Sequence, residues 1–408
     1  MKRALPLFAI VFVGFLTIST TLIISTTITL NPSESVLPAA TSFAKRLLIF
    51  GLCMSMLPLG QFFGSPIIGG LSDRYGRKKI LIIMLACITI CYAFVGAAVD
   101  HKRIYIFQFF LFLAGLFEGC VVLSQSVVAD ISKGKARNEG FGLIIAMKSA
   151  GYIFGPTLAV ILSDKNLVSW FYYSTPYYVF SCLFLLLMFW MIFGFTETLD
   201  PKKRKVTSLL QNFANLKYFF IDKKLRASFG INFILYLGLY GFYRVLPAYL
   251  TDIYNVSTVQ LGYIYTYWAA LQMLSSTIIL KYYSKRYPPE TLYRICSIVF
   301  AFIIMLMVFI RVYSIFWLLL IFLSVSMIIT MTVSQTIVSK RTSEKTQGRS
   351  LGINMSIQFL CQVLSSIGGN ILAVIWVGLP LTICASFIAI SGLISLKMWR
   401  KEALITEK

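Results

Sequence analysis

A chain of 408 residues that is 58% hydrophobic and only 13% charged is too apolar for a soluble two-domain protein, which excludes most solution enzymes. Its net charge of +22, from 37 Lys and Arg against 15 Asp and Glu, would point to nucleic acid in a soluble chain. Here the cations lie between apolar stretches, in alternate loops, and no basic run is interleaved with aromatics as a nucleic-acid groove requires.

In chain order, the apolar runs predict membrane helices over 5–30, 47–70, 80–99, 104–128, 141–162, 176–195, 227–250, 259–280, 292–310, 315–338, 350–375 and 380–397, each near the about 20 residues that one crossing takes. The first run follows Met1-Lys2-Arg3 and is too long for a signal peptide; no small-residue cleavage site follows it. Placing the N-terminus in the cytoplasm gathers Arg74, Arg77, Lys78 and Lys79 with Lys133, Lys135 and Arg137 on one side, together with the Lys202 to Arg226 loop. Lys281, Lys285, Arg286, Lys340, Arg341, Lys345, Arg349 and the C-terminal tail join them, while the opposite loops keep few cations, such as Lys102, Arg103 and Lys165. The positive-inside rule therefore predicts a multi-pass protein with both termini cytoplasmic. A composition rich in Ile, Lys, Tyr and Phe points to an AT-rich bacterial genome, and the expected location is the bacterial inner membrane.

The longest connection, 196–226, carries Pro201-Lys202-Lys203-Arg204-Lys205 and reads as a solvated basic linker that meets anionic headgroups. It divides the chain into bundles of six helices, 1–195 and 227–408. The halves match at an offset of about 210 residues, as an internal repeat should. Ser72-Asp73-Arg74-Tyr75 answers Ser284-Lys285-Arg286-Tyr287; Gln125-Ser126-Val127-Val128 before Asp130 answers Gln335-Thr336-Ile337-Val338 before Lys340; Phe141-Gly142-Leu143 answers Leu351-Gly352-Ile353. All eight cysteines lie in apolar stretches, and none forms a ligand-spaced cluster with the single His101, so no metal and no cofactor are expected.

Three segments carry most of the specific signal. Gly69-Gly70-Leu71-Ser72-Asp73-Arg74-Tyr75-Gly76-Arg77-Lys78-Lys79 is a cationic turn between spans two and three, with one acid that can accept from Arg77 and from amides at a helix N-terminus. Ala129-Asp130-Ile131-Ser132, with Arg137 and Phe141-Gly142 beyond it, ends the fourth span. Gly151-Tyr152-Ile153-Phe154-Gly155-Pro156 places two glycines four apart, so helices can approach closely, and a proline that interrupts the backbone ladder. The first segment resembles, nearly residue for residue, the signature loop of the major facilitator superfamily. The second is similar to the twelve-span drug:proton antiporters, in particular the tetracycline-exporter branch, and the third to the exporters' antiporter motif, although Ala159 and Val160 stand where two further glycines are usual. The resemblance implies an all-α membrane protein of twelve transmembrane helices in two pseudo-symmetric six-helix bundles. It further implies a charge cluster of Asp73, Arg77 and Asp130 that holds the outward-open state, with Arg137, Gly155 and Pro156 as further gating elements.

Where that family commonly has an arginine in span four, this chain has Gly115, and beside it stands Glu118, the only carboxylate well inside any predicted span. An ionisable group in hydrocarbon costs several kcal/mol unless it is paired, hydrated or neutralised, so Glu118 is read as a proton carrier, with a structural partner for a buried cation as the alternative. Lys148 in span five and Arg244 in span seven are the intramembrane cations. Arg244, three residues before Pro247, can either face the cavity or snorkel to the outer interface. Should both cations face a chamber with Glu118, an anionic or zwitterionic substrate is favoured. Candidate cavity groups include Gln61, Gln125, Asn232, Tyr236, Tyr240, Trp268, Gln272, Asn354, Gln358 and Gln362. Asn354, Gln358 and Gln362 form a stripe that must turn away from lipid; substrate contact and interhelical hydrogen bonding explain it equally.

The activity expected is that of a proton-coupled secondary transporter exporting a drug-like or metabolite molecule by alternating access. An importer or exporter of an organic anion, such as a carboxylate or siderophore, is the alternative; a non-transporting membrane sensor is a reading of another class. With one His and no paired intramembrane carboxylates, no catalytic constellation is present and an enzyme is not expected. The expected partners are a small-molecule substrate, protons and the lipid bilayer, without nucleic acid, and the chain is expected to act as a monomer.

Overall fold

A computed structural model describes residues 4–131, 134–198, 223–279, 282–283, 286–342 and 347–406, and among the described residues the regular elements are all helical. They are α1 (Leu5–Leu30), α2 (Phe43–Tyr75), α3 (Arg77–Asp100), α4 (Ile104–Phe117), α5 (Gly119–Ile131), α6 (Gly134–Ile161), α7 (Thr175–Gly194), α8 (Lys223–Tyr254), α9 (Thr258–Leu274), α10 (Pro289–Phe309), α11 (Tyr313–Lys340), α12 (Gln347–Ala373) and α13 (Leu379–Thr406). The fourth crossing, Ile104–Val128, is shared by α4 and α5. Among the described residues, eleven crossings are long and apolar enough to span a membrane. The twelfth, α9, has only 17 residues and is carried on by a π-helical turn, Ser275–Ile279. Most of the basic linker, residues 199–222, lies outside the described residues.

α2 extends over 33 residues and starts on Ser42, whose side chain accepts from the Lys45 amide. It stops at Gly76, where φ is 103°, a backbone conformation that side chains resist. The glycine of the signature loop thus makes the corner between α2 and α3.

The chain divides into two compact units, Met1–Phe213 with Ser257–Thr266, and Ala214–Val256 with Tyr267–Lys408. In the first, α1 packs on α6, α2 on α4 and α3 on α7; in the second, α8 packs on α12 and α13, and α10 on α11 and α13. Association in lipid depends on close packing rather than on hydrophobic expulsion. The α2–α4 contact shows how close: a Cβ at Gly60 would strike the carbonyl of Phe112, one at Gly64 that of Leu116, and one at Gly115 that of Leu57.

Arg46 is only 2% exposed. Its guanidinium donates to the carbonyls of Thr41, Thr29 and Pro38, each at 3.1 Å. It therefore ties the C-terminal end of α1 to the start of α2, as a structural cation satisfied by backbone oxygens.

Candidate functional site

The fourth crossing breaks at Glu118, between α4 and α5. The carboxylate that the break presents is 2% exposed. Its Oε1 accepts from the Tyr92 hydroxyl at 2.8 Å and the Thr17 hydroxyl at 3.1 Å, and its Oε2 from Gln61 Nε2 at 2.8 Å. α1, α2 and α3 each supply one neutral donor, and none of these partners is a cation. Tyr92 is held by packing, its ring stacked on Phe184 at 5.6 Å and on Tyr177 at 6.3 Å.

Thr17 has a second acceptor, the Gly14 carbonyl at 2.7 Å. A hydroxyl has one proton to give. With Glu118 ionised the two acceptors share that one proton; with the Glu118 carboxyl protonated and itself donating to Thr17, the Thr17 proton is free for Gly14. The cluster thus has a hydrogen-bond pattern for each charge state. Gln61 was legible as a candidate; Thr17 and Tyr92 were not, for one sits in a Ser- and Thr-rich helix and the other in an apolar run.

Gly115 explains the missing arginine. With Gly115 against the Leu57 backbone, no side chain fits there, and the charge of this crossing sits three residues on, turned into the bundle. Lys148 of α6 lies over the Phe15 ring at 4.8 Å. Phe15 and Thr17, two residues apart, point to different faces of α1, so Lys148 and Glu118 approach α1 from different sides.

In the second unit the expected stripe on α12 meets a matching stripe on α8. Asn232 donates to Asn354 at 3.0 Å, Asn354 to the Tyr236 hydroxyl at 3.0 Å, Tyr240 to Gln358 at 2.9 Å and Arg244 to Gln362 at 2.7 Å. These interhelical hydrogen bonds satisfy the stripe within the unit. Arg244 is buried within the second unit, 6% exposed. Trp268 is buried against Phe242 and Tyr243, with centroids at 5.8 and 5.4 Å. Gln272 reaches Met327 Sδ at 3.8 Å, and Gln125 is half-buried on α5.

At the signature loop, Arg77 pairs with Asp73 at 2.9 Å and donates to Ser72 at 2.6 Å. The amides that open α3 belong to another acid: Glu197 accepts from the backbone N–H of Arg77 at 3.0 Å and of Lys78 at 3.1 Å. A carboxylate at a helix N-terminus is favoured by the dipole and the unpaired amides. Glu197 reads from the sequence as an acid near a span end; its pairing with the start of α3 was not legible, because it lies 120 residues from Arg77 in the chain. The side chains of Asp130 and Arg137 lie outside the described residues. Gly151 and Gly155 bring α6 onto α1, where the Ser19 hydroxyl donates to the Gly151 carbonyl at 3.1 Å and that of Thr20 to the Gly155 carbonyl at 2.9 Å. Pro156 stands inside α6.

Two bundles of helices, eleven of whose crossings among the described residues are long and apolar enough for a membrane, and a signature-loop ion pair in the first define the class of the fold. The family model described as Major Facilitator Superfamily matches residues 6–366, and the chain belongs to that family. It is 32% identical over 154 residues to the cattle (Bos taurus) Major facilitator superfamily domain-containing protein 10, covering 38% of this chain and 31% of that one. It is 30% identical over 118 residues to the Escherichia coli class C tetracycline resistance protein, covering 29% of each. The matched segments thus span about a third of those relatives' length. The crystal structure of the human organic anion transporter MFSD10 (TETRAN) shares the fold, with a TM-score of 0.71 at 17% identity, covering 97% of this chain and all of that one.

Proposed function

We propose that this protein is a proton-coupled exporter of a small organic solute in a bacterial inner membrane, monomeric and with both termini cytoplasmic, in which Glu118 carries the proton. The observation that carries this reading is the buried carboxyl that, among the described residues, Tyr92, Gln61 and Thr17 hold. When ionised, it uses all three as donors. When protonated, it gives its own proton to Thr17, whose hydroxyl then turns to the Gly14 carbonyl. Hydrogen bonds to a charged group are worth about 1.5–3 kcal/mol each, so the two charge states bind α1 to the rest of the cluster with different strength. α1 in turn is tied to α6 through Ser19 and Thr20. Proton occupancy thereby biases helix packing, which is what alternating access needs. Asp73, Arg77, Asp130, Arg137, Gly155 and Pro156 serve as gating elements in this reading.

Uptake into proteoliposomes under an imposed pH gradient tests it. Glu118→Gln is expected to abolish gradient-driven accumulation while sparing substrate exchange; accumulation at the wild-type level overturns the assignment.

A second reading concerns the solute. A buried arginine on the α8–α12 ladder favours an organic anion, and the similarity to a protein described as an organic anion transporter agrees with it. Lys148, Tyr240, Gln125, Trp268, Gln272, Asn354 and Gln358 are the further candidates for contact. A thermal-shift screen against carboxylates, siderophores, nucleosides and cationic drugs decides, since a ligand of the folded state raises its apparent stability.

A further inference from the structure

A groove of about 560 Å³ opens on the first unit at the end of the bundle opposite the N-terminus. Asp100, at the end of α3, and Lys165 and Trp170, in the α6–α7 connection, stand at its polar mouth; Val179, Cys182 and Leu183 on α7 line its apolar floor. From Thr175 to Leu183 the floor descends about 12 Å along α7, at 1.5 Å per residue. It opens onto the face that α7 leaves exposed at Cys182, Leu186, Phe189 and Phe193, which in a bilayer meets acyl chains. The walls are built rather than incidental. Tyr178 donates to Asp100 Oδ2 at 2.8 Å, and its ring lies so close over Gly96 that a Cβ there would come within 2.9 Å. Lys165 sits over the Tyr172 ring at 4.8 Å. Burial, with the charges of Asp100 and Glu34 behind it, pushes the Tyr172 phenol up, so it stays neutral beneath the ammonium. Trp170, 70% exposed, has the amphipathic character of residues that settle at headgroup level.

We propose that this groove holds one phospholipid whose headgroup carries a primary ammonium beside its phosphate, the ammonium at Asp100 and the phosphate at Lys165. One acid and one cation share a single mouth above an apolar channel, which matches a zwitterionic headgroup with a tail. A purely anionic lipid would meet Asp100 with repulsion. Asp100 keeps its Oδ1 for an N–H donor, which a quaternary ammonium lacks. The assignment is independent of proton coupling and of the transported solute.

Native mass spectrometry of the full chain extracted from bilayers of equal parts phosphatidylethanolamine, phosphatidylcholine and phosphatidylglycerol tests it. The expected result is one phosphatidylethanolamine retained after the other lipids are stripped. Asp100→Asn and Lys165→Ala should each reduce that retention about three-fold or more, a size set by partly exposed charge pairs. Both side chains are exposed, so melting temperatures should stay unchanged, and exchanging the two charges (Asp100→Lys with Lys165→Asp) should restore part of the retention. Equal retention of the three lipids, preference for phosphatidylcholine or phosphatidylglycerol, or retention insensitive to both single variants overturns the proposal.

Discussion

The polar interior of the first unit converges, whereas that of the second runs in a line. Around Glu118, three helices bring one neutral donor each to a single carboxyl. Between α8 and α12, amide, phenol and guanidinium groups pair rung by rung, each α12 side chain with a partner on α8. A convergent cluster around one titratable group has two charge states to choose between. A ladder of amides and phenols ending in arginine, which stays charged at any working pH, does not change with proton supply. In the proposed function the former serves energy coupling and the latter recognition, although the two halves share matched sequence segments.

Five experiments break or sharpen this contrast, the largest effect first. Gly115→Arg, which reinstates the arginine common in the family, should prevent stable folding, because its Cβ meets the Leu57 carbonyl; expression and melting in detergent check this, and a stable variant would refute the backbone-contact account. Glu118→Gln, nearly the same shape, should retain melting behaviour yet lose gradient-driven accumulation, a fall of about a hundred-fold or more, as expected for a lost proton-transfer group. In Arg244→Met, affinity for organic anions should fall by about ten-fold or more, the size of one charge-assisted hydrogen bond, while cationic compounds bind as before; titration of both ligand classes separates recognition from packing. Tyr92→Phe removes the 2.8 Å donor and should cost about 1–3 kcal/mol, read by denaturation, with transport slowed but not abolished. Asp73→Asn breaks an ion pair whose acid is 41% exposed, so stability should change by less than about 1 kcal/mol; a transport defect well beyond that would mark Asp73 as a gating group.

How much of this was legible depended on range. The twelve crossings were, because each buries or presents an apolar run of nearly fixed length; α9 was the hardest, since a π turn completes it. Glu118 stood out as a lone acid in hydrocarbon, and the α12 stripe by its four-residue spacing. Their partners did not. Thr17 lies 101 residues from Glu118 and Arg77 lies 120 from Glu197, and no local pattern encodes such pairings. The carbonyl partners of Arg46 are likewise set by tertiary packing: Thr29 lies 17 residues from it in the chain.

Hydropathy and the placement of charge, which act on any stretch of chain alone, decide that this protein lives in a membrane, how many times it crosses and which segments carry ionisable groups. Which groups meet is another matter. Glu118 finds three neutral donors, Lys148 approaches α1 from another side and Arg244 finishes a ladder only because glycine contacts and helix crossings set where each face points, and those are properties of the packed bundle.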